Sequence, residues 1–155
     1  MDGSLTLTAA TAADLQAIGA RLGRLLAAGD VLALIGPLGA GKTTFVQGVA
    51  RGLEVPAERH VASPTFALVN EHPGRVPLVH ADLYRINDAR ELDELGLVDA
   101  YDRAAVAIEW LDRFPDAAPG ERLTIELEIA PDGARRLALR PSGARAEALV
   151  AALAR

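Results

Sequence analysis

Val31-Leu32-Ala33-Leu34-Ile35-Gly36-Pro37-Leu38-Gly39-Ala40-Gly41-Lys42-Thr43-Thr44 is the stretch on which the fold turns. Its first five residues form a continuous apolar run of strand length, the pattern of a central strand covered on both faces. The run passes directly into Gly36–Thr43, which fits G-x-x-x-x-G-K-[ST]. Phe45, Val46, Val49 and Ala50 then continue as a helix that ends at Gly52. Strand, glycine loop and helix, in that order, are the context the motif requires. Composition alone would produce the match roughly 5 times in 10,000.

The residue types state the chemistry. Glycines let the backbone curl so that successive N–H groups point at phosphate oxygens, and the helix N-terminus adds its positive end. Gly36, Leu38, Gly39, Ala40, Gly41, Lys42, Thr43 and Thr44 are therefore expected to hold a nucleoside triphosphate. Lys42 is expected to reach the β- and γ-phosphates, and the Thr43 hydroxyl to ligate Mg²⁺. Pro37 removes one N–H, but early in the loop, before the stretch that wraps phosphates.

Composition bounds the rest. The chain has 155 residues, 50% of them hydrophobic and only 4% aromatic, so one aliphatic-cored domain spanning 1–155 is expected. With no cysteine, disulfides, Cys-ligated zinc, iron–sulfur clusters and thiol catalysis are excluded. The net charge of −5, with no basic run, is not that of a surface that grips nucleic acid by itself. No apolar run approaches the roughly 20 residues that span a bilayer, and no charged-then-apolar leader precedes the first helix. A cytoplasmic protein without membrane contact is the expectation. Arginine outnumbers lysine 15 to 1, and the one lysine is Lys42. A planar guanidinium cannot replace a compact ammonium on a flexible stem.

Around the loop, Thr11 is a good N-cap with Asp14 three residues on. Leu15, Ile18, Leu22, Leu25 and Leu26 recur at helical spacing until Gly29-Asp30. Ser63-Pro64-Thr65 is a loop leading into Phe66 to Val69, and His72-Pro73-Gly74 makes a turn. Val76–His80 and Ala104–Ile108 are strand candidates that deliver Asp82 and Glu109, and Asp88–Leu97 is an amphipathic acidic helix. That acidic stretch is a partner-docking face or a solvated helix face. Leu123, Ile125, Leu127 and Ile129 alternate with polar residues, and a turn at Asp132-Gly133 predicts a C-terminal antiparallel hairpin before a helix over 143–154. The pattern predicts an α/β fold, a P-loop NTPase-like mixed sheet with flanking helices.

Asp82 and Glu109 both follow apolar strands, which places them at the carboxyl edge of the sheet beside the loop. One would hold Mg²⁺ and the other orient the attacking water; the spacing does not say which. A GTPase would need N-K-x-D, and neither Asn70 nor Asn87 precedes lysine, so ATP is the expected nucleotide.

The strings G-P-L-G-A-G-K-T-T-F, S-P-T-F with L-V-N-E, H-A-D-L-Y-R, E-L-D-E-L-G-L and I-E-W follow one another over residues 31–110. In that order they resemble the TsaE (YjeE) family, small bacterial P-loop ATPases of tRNA threonylcarbamoyladenosine biosynthesis. Pro37 departs from the acidic residue expected there. The resemblance implies catalytic roles for Lys42, Asp82 and Glu109, with Thr43, Glu109 and Asp82 on the metal. It also implies a switch-type segment Ser63-Pro64-Thr65 with Thr65 near the γ-phosphate, and Tyr84 and Arg85 on an edge facing partners. Thr11, and Arg135 or Arg136, would border the nucleotide, with Arg136 the stronger expectation. Trp110 is a packing or a functional residue, His80 a structural hydrogen-bonder, and His60 and His72 surface histidines. The implied partners are TsaB and TsaD, with tRNA reached through them, and the implied role is ATP-driven resetting of that complex. A small-molecule kinase would need an acceptor pocket and an arginine-bearing lid, and loop 115–120 makes a weak one. A nucleotide-dependent switch would keep its biological activity with hydrolysis abolished.

Overall fold

The computed structural model describes residues 3–62, Pro64 and 68–155. Ser63, Thr65 and Phe66 lie outside the described residues, so the expectation for the Ser63-Pro64-Thr65 segment has no structural counterpart there.

The chain alternates strands and helices: β1 (Leu5–Ala9), α1 (Ala12–Leu25), β2 (Val31–Ile35), α2 (Lys42–Gly52), β3 (Val69–His72), β4 (Leu78–Asp82), α3 (Ala89–Glu94), α4 (Leu97–Ala100), β5 (Ala105–Glu109), β6 (Arg122–Ile129), β7 (Arg135–Ser142) and α5 (Ala144–Leu153). Among the described residues seven strands make one sheet in the order β1-β7-β6-β2-β5-β4-β3. The centre is parallel, with β2 between β5 and β6, and β4 beyond β5. Both edges are antiparallel, through β3 on one side and the β6–β7–β1 meander on the other. This is the predicted mixed α/β sheet with its C-terminal hairpin.

Alternation along β2 explains its unbroken apolar run. Leu32 and Leu34 pack into the larger core with Leu22, Phe45, Val49, Ile125 and Leu149. Val31 and Ala33 face the other way, into a core shared with Val79, Ala81, Val106, Ile108 and Leu111. A strand with helices or loops on both faces has no wet side to mark with polar residues. On β6 the alternation holds for Leu123, Ile125 and Leu127, which are buried between half-exposed Arg122, Thr124 and Glu126. The expected inward position of Ile129 is exposed, because the strand end runs past the core.

Thr11 caps α1 in a reciprocal box: its hydroxyl accepts the Asp14 N–H at 3.1 Å, and the Asp14 carboxylate accepts the Thr11 N–H at 3.2 Å. Helices α1 and α2 pack through four glycines. A Cβ on Gly19 would stand 2.4 Å from the Phe45 carbonyl oxygen, and one on Gly48 would stand 2.1 Å from that of Gln16. Gly23 and Gly52 repeat the contact one turn along each helix. Backbone lies on backbone, which no larger residue permits.

Several boundaries differ from expectation. The strand expected at Val76–His80 runs Leu78–Asp82, because pairing with β5 continues to Asp82 opposite Glu109. The helix expected over Asp88–Leu97 is two short ones, separated at Gly96 with φ 71°. His72 is not in a turn but is the last residue of β3, paired with Leu78 and buried. Strand β1 was not anticipated. Its Leu5 and Leu7 are only partly buried, and its pairing comes from β7, more than 120 residues away. Among the described residues no helix is long and apolar enough to cross a membrane.

Candidate nucleotide site

The loop between β2 and α2 is shaped by glycine. Gly39 and Gly41 take φ of 80° and 105°, left-handed conformations that a side chain would strain. A Cβ on Gly41 would also meet Leu15 Cδ2 at 2.6 Å, and one on Gly36 would meet the Leu127 carbonyl at 2.6 Å. Gly41 caps α2 without a side chain, leaving the first-turn N–H groups of the helix facing outward. Ala40 is wholly buried, and its N–H donates to the Pro37 carbonyl at 3.1 Å. Arg135, at the start of β7, staples the loop from behind: its Nε donates to the Ala40 carbonyl at 2.9 Å and its Nη2 to that of Gly39 at 3.2 Å.

A cavity of about 520 Å³ opens over this loop. Leu38, Gly39, Gly41, Lys42, Thr43 and Thr44 of the loop and helix line it together with Asp82, Tyr84, Arg85, Glu109 and Trp110 from the ends of β4 and β5 and the residues that follow them. Lys42 Nζ donates to the Gly36 carbonyl at 2.6 Å and the Pro37 carbonyl at 3.0 Å, and lies 4.3 Å from the centroid of the Trp110 ring. Burial holds the Lys42 ammonium below its ordinary pKa, while Glu109, Asp82 and Asp112 pull it back up. Trp110 has φ 64°, an uncommon conformation for an aromatic residue, and its ring packs on Tyr84 with centroids 5.0 Å apart. At this strained position the indole lies both against the lysine and on the edge of the second core.

The carboxylates stand in register. Asp82 pairs with Glu109 across β4 and β5, at the ends of both strands. Alternation on β4 turns Leu78, His80 and Asp82 to the α2 side. Thr43 Oγ1 donates to Glu109, 3.2 Å from Oε2 and 3.5 Å from Oε1. Asp82 Oδ1 accepts the Tyr84 N–H at 2.8 Å. His80, fully buried, has its Nε2 2.5 Å from Glu109 Oε2. Thus Lys42, Thr43, Asp82 and Glu109, expected from spacing alone, converge on one cavity.

Other expected residues fall elsewhere. Arg136 lies on the exposed face of the hairpin with Glu128 at 3.3 Å, and it is its neighbour Arg135 that reaches the loop. Alternation along β7 decides this, because adjacent side chains point to opposite faces. Thr11 spends its hydroxyl on the α1 cap and does not line the cavity. Thr65 lies outside the described residues. The His80–Glu109 contact has no motif of its own; the clue available was that His80 precedes Asp82 by two and so shares its face.

A mixed sheet with a parallel centre, whose first buried strand enters a glycine loop capping a helix, with a lysine just after the cap and carboxylates on the neighbouring strand ends, defines a P-loop NTPase-like fold. Residues 9–137 match the family described as threonylcarbamoyl adenosine biosynthesis protein TsaE, and the chain belongs to that family. It is 39% identical over 140 residues to the tRNA threonylcarbamoyladenosine biosynthesis protein TsaE of Nostoc sp., covering 86% of this chain and 84% of that one. The corresponding protein of Bacillus subtilis is 42% identical over 129 residues, covering 82% and 79%. The crystal structure of Bacillus subtilis YdiB superposes with a TM-score of 0.85 at 32% identity, over 97% of this chain and 94% of that one. TsaE proteins are involved in threonylcarbamoyladenosine biosynthesis in tRNA.

Proposed function

We propose that the protein binds ATP with Mg²⁺ in the cavity above the glycine loop and hydrolyses it, and that it does so to act on or reset a TsaB–TsaD complex in the cytoplasm. The observation that carries the ATPase reading is the convergence of Lys42, Thr43, Asp82 and Glu109 on one cavity at the N-terminus of α2.

The residues fit both groups. Hard oxygens from a hydroxyl and carboxylates suit Mg²⁺, which keeps waters and shares its shell with substrate phosphates rather than needing an all-protein cage. Accordingly, no group of three or more His, Cys, Asp or Glu among the described residues could hold a metal alone. Mg²⁺ bound beside Thr43 and Glu109 would offset phosphate charge. The first-turn N–H groups of α2 and the loop amides bind the phosphates. Lys42 gives up the Gly36 and Pro37 carbonyls and swings onto the β- and γ-phosphates. Glu109, already on the Thr43 hydroxyl, serves the metal side. Asp82, one strand over, orients the attacking water; the new P–O bond forms as the bond to the bridging oxygen breaks, ADP leaves with the electron pair, and the proton lost by the water ends on the released phosphate.

Hydrolysis is to be measured with the protein alone and with TsaB–TsaD. Stimulation and co-elution support the pathway reading, and the absence of both overturns it. Incubation with ATP and a metabolite panel separates the kinase alternative, since a phosphorylated metabolite is its signature. The net charge of −5 supports contact with tRNA through partners rather than directly.

A further inference from the structure

We infer that His80 is a positioning residue for Glu109: its Nε2–H holds the Glu109 carboxylate in the rotamer that faces Thr43. The inference rests on the reading of Glu109 as a metal-side carboxylate.

His80 is fully buried on β4, and its Nε2 lies 2.5 Å from Glu109 Oε2. Its other nitrogen, Nδ1, is buried with no hydrogen-bond partner among the described residues. A proton on Nδ1 would be an unpaired buried donor, so the ring's proton belongs on Nε2, where it is donated to the carboxylate. Glu109 itself is buried, and a buried carboxylate needs donors to stay in one place. Two are present: the Thr43 hydroxyl from the loop side and His80 from the sheet. His80 Nε2 contacts Oε2, and the Thr43 hydroxyl lies 3.2 Å from the same Oε2 and 3.5 Å from Oε1. The histidine therefore ties one oxygen of the carboxylate to the sheet while the loop hydroxyl meets the group from the other element. Thr43 belongs to the substrate-binding loop and must trade partners when the site fills, whereas His80 is anchored in the sheet interior. His80 is the donor that persists through the cycle.

Substitutions that keep or remove the donor test this. In His80→Gln the amide nitrogen takes nearly the place of Nε2, in His80→Asn it falls a bond short, and His80→Leu removes it. With a fluorescent ATP analogue, affinity in EDTA should stay within twofold of wild type for all three. The tightening on adding Mg²⁺ should fall at least fivefold for His80→Leu and His80→Asn and be largely restored in His80→Gln. In hydrolysis, kcat should drop at least tenfold for His80→Leu with KM within threefold, and His80→Leu added to Glu109→Gln should reduce kcat no further. Equal impairment of cooperatively melting His80→Gln and His80→Leu would show a packing role and overturn the inference, as would a wild-type Mg²⁺ response in His80→Leu. If Glu109→Gln alone leaves the Mg²⁺ response and hydrolysis unchanged, the metal-side reading of Glu109 fails instead. Should His80→Leu not fold, the contrast between His80→Gln and His80→Asn decides by the same criteria.

Discussion

The Lys42 ammonium lies 4.3 Å from the centroid of the Trp110 ring, with the Gly36 and Pro37 carbonyls accepting its protons. The lysine thus has protein partners of its own, and on the proposed reading an incoming phosphate competes with them. Because Lys42 is the one lysine of the chain, an amine-directed reagent should modify only its side chain and the N-terminal amine. Burial lowers its pKa, which raises the fraction of free amine available at neutral pH but restricts access. Mass spectrometry should show labelling at Lys42 slowed at least fivefold by Mg-ATP, with the N-terminal amine unaffected. Unslowed labelling at Lys42 contradicts the phosphate-loop reading.

Arg135 and Arg136 are neighbours with different expected effects. Arg135 spans the Gly39, Ala40 and Gly133 carbonyls and ties the hairpin to the loop. Arg136 makes one exposed ion pair with Glu128, of a kind worth about 0–1 kcal/mol. Arg135→Ala should weaken nucleotide binding about tenfold, roughly 1.4 kcal/mol. Arg136→Ala should leave it within twofold. Calorimetric titration of ATP into both variants checks this, and equal effects would remove the staple as an explanation.

The strand, loop and helix over residues 31–52 were legible because each carries a local signal: burial on both faces, glycine at left-handed positions, and 3.6-residue spacing. The two carboxylates were legible for the same reason, since strand ends deliver side chains to one edge. What escaped depends on partners distant in the chain. Strand β1 exists because β7 pairs with it, and its apolar residues Leu5 and Leu7, only partly buried, alternate with exposed threonines over too short a stretch to stand out from a loop. The burial of His72 and His80 depends on how β3 and β4 pair and what covers them. Gly19 and Gly23, like Gly48 and Gly52, stand four apart, but only the packing of α1 on α2 gives that spacing a meaning. The acidic stretch after Asp88 carried a helical pattern that Gly96 breaks locally.

That helix contact makes a stability prediction. Alanine in a helix interior ordinarily gains about 1 kcal/mol over glycine. At Gly48 the added Cβ would stand 2.1 Å from the Gln16 carbonyl oxygen, and the two backbones must part. Overpacking of this kind costs about 1–3 kcal/mol or more, and here the obstacle is main chain rather than a flexible side chain. With the cost at the upper end, about 3 kcal/mol, and the helix gain of about 1 kcal/mol set against it, Gly48→Ala should lower the melting temperature by about 4–8 °C, at roughly 2–4 °C per kcal/mol for a chain of this size. Gly120, where an added Cβ meets nothing within 4 Å, is the control and should change little on substitution by alanine. A rise in Tm for Gly48→Ala would mean that the helices are not held by backbone contact.

His72 sets a pH dependence whose sign follows from its surroundings. Burial lowers its pKa from the ordinary 6.5, and the neighbouring His80 and Arg59 lower it further. Both of its ring nitrogens are buried without a hydrogen-bond partner among the described residues, so the folded chain resists protonation there. The unfolded chain does not, and it binds the proton first as pH falls. Above pH 6.5 this residue imposes no penalty; below 6.5 it subtracts stability until the pH reaches its lowered native pKa. Denaturant midpoints should therefore fall as the pH drops below 6.5 in the wild type, and less steeply in His72→Leu, which fills the site without a titrating group. The His60→Ala variant, at an exposed position, should retain the wild-type slope. A slope unchanged in His72→Leu would place the proton uptake on another group.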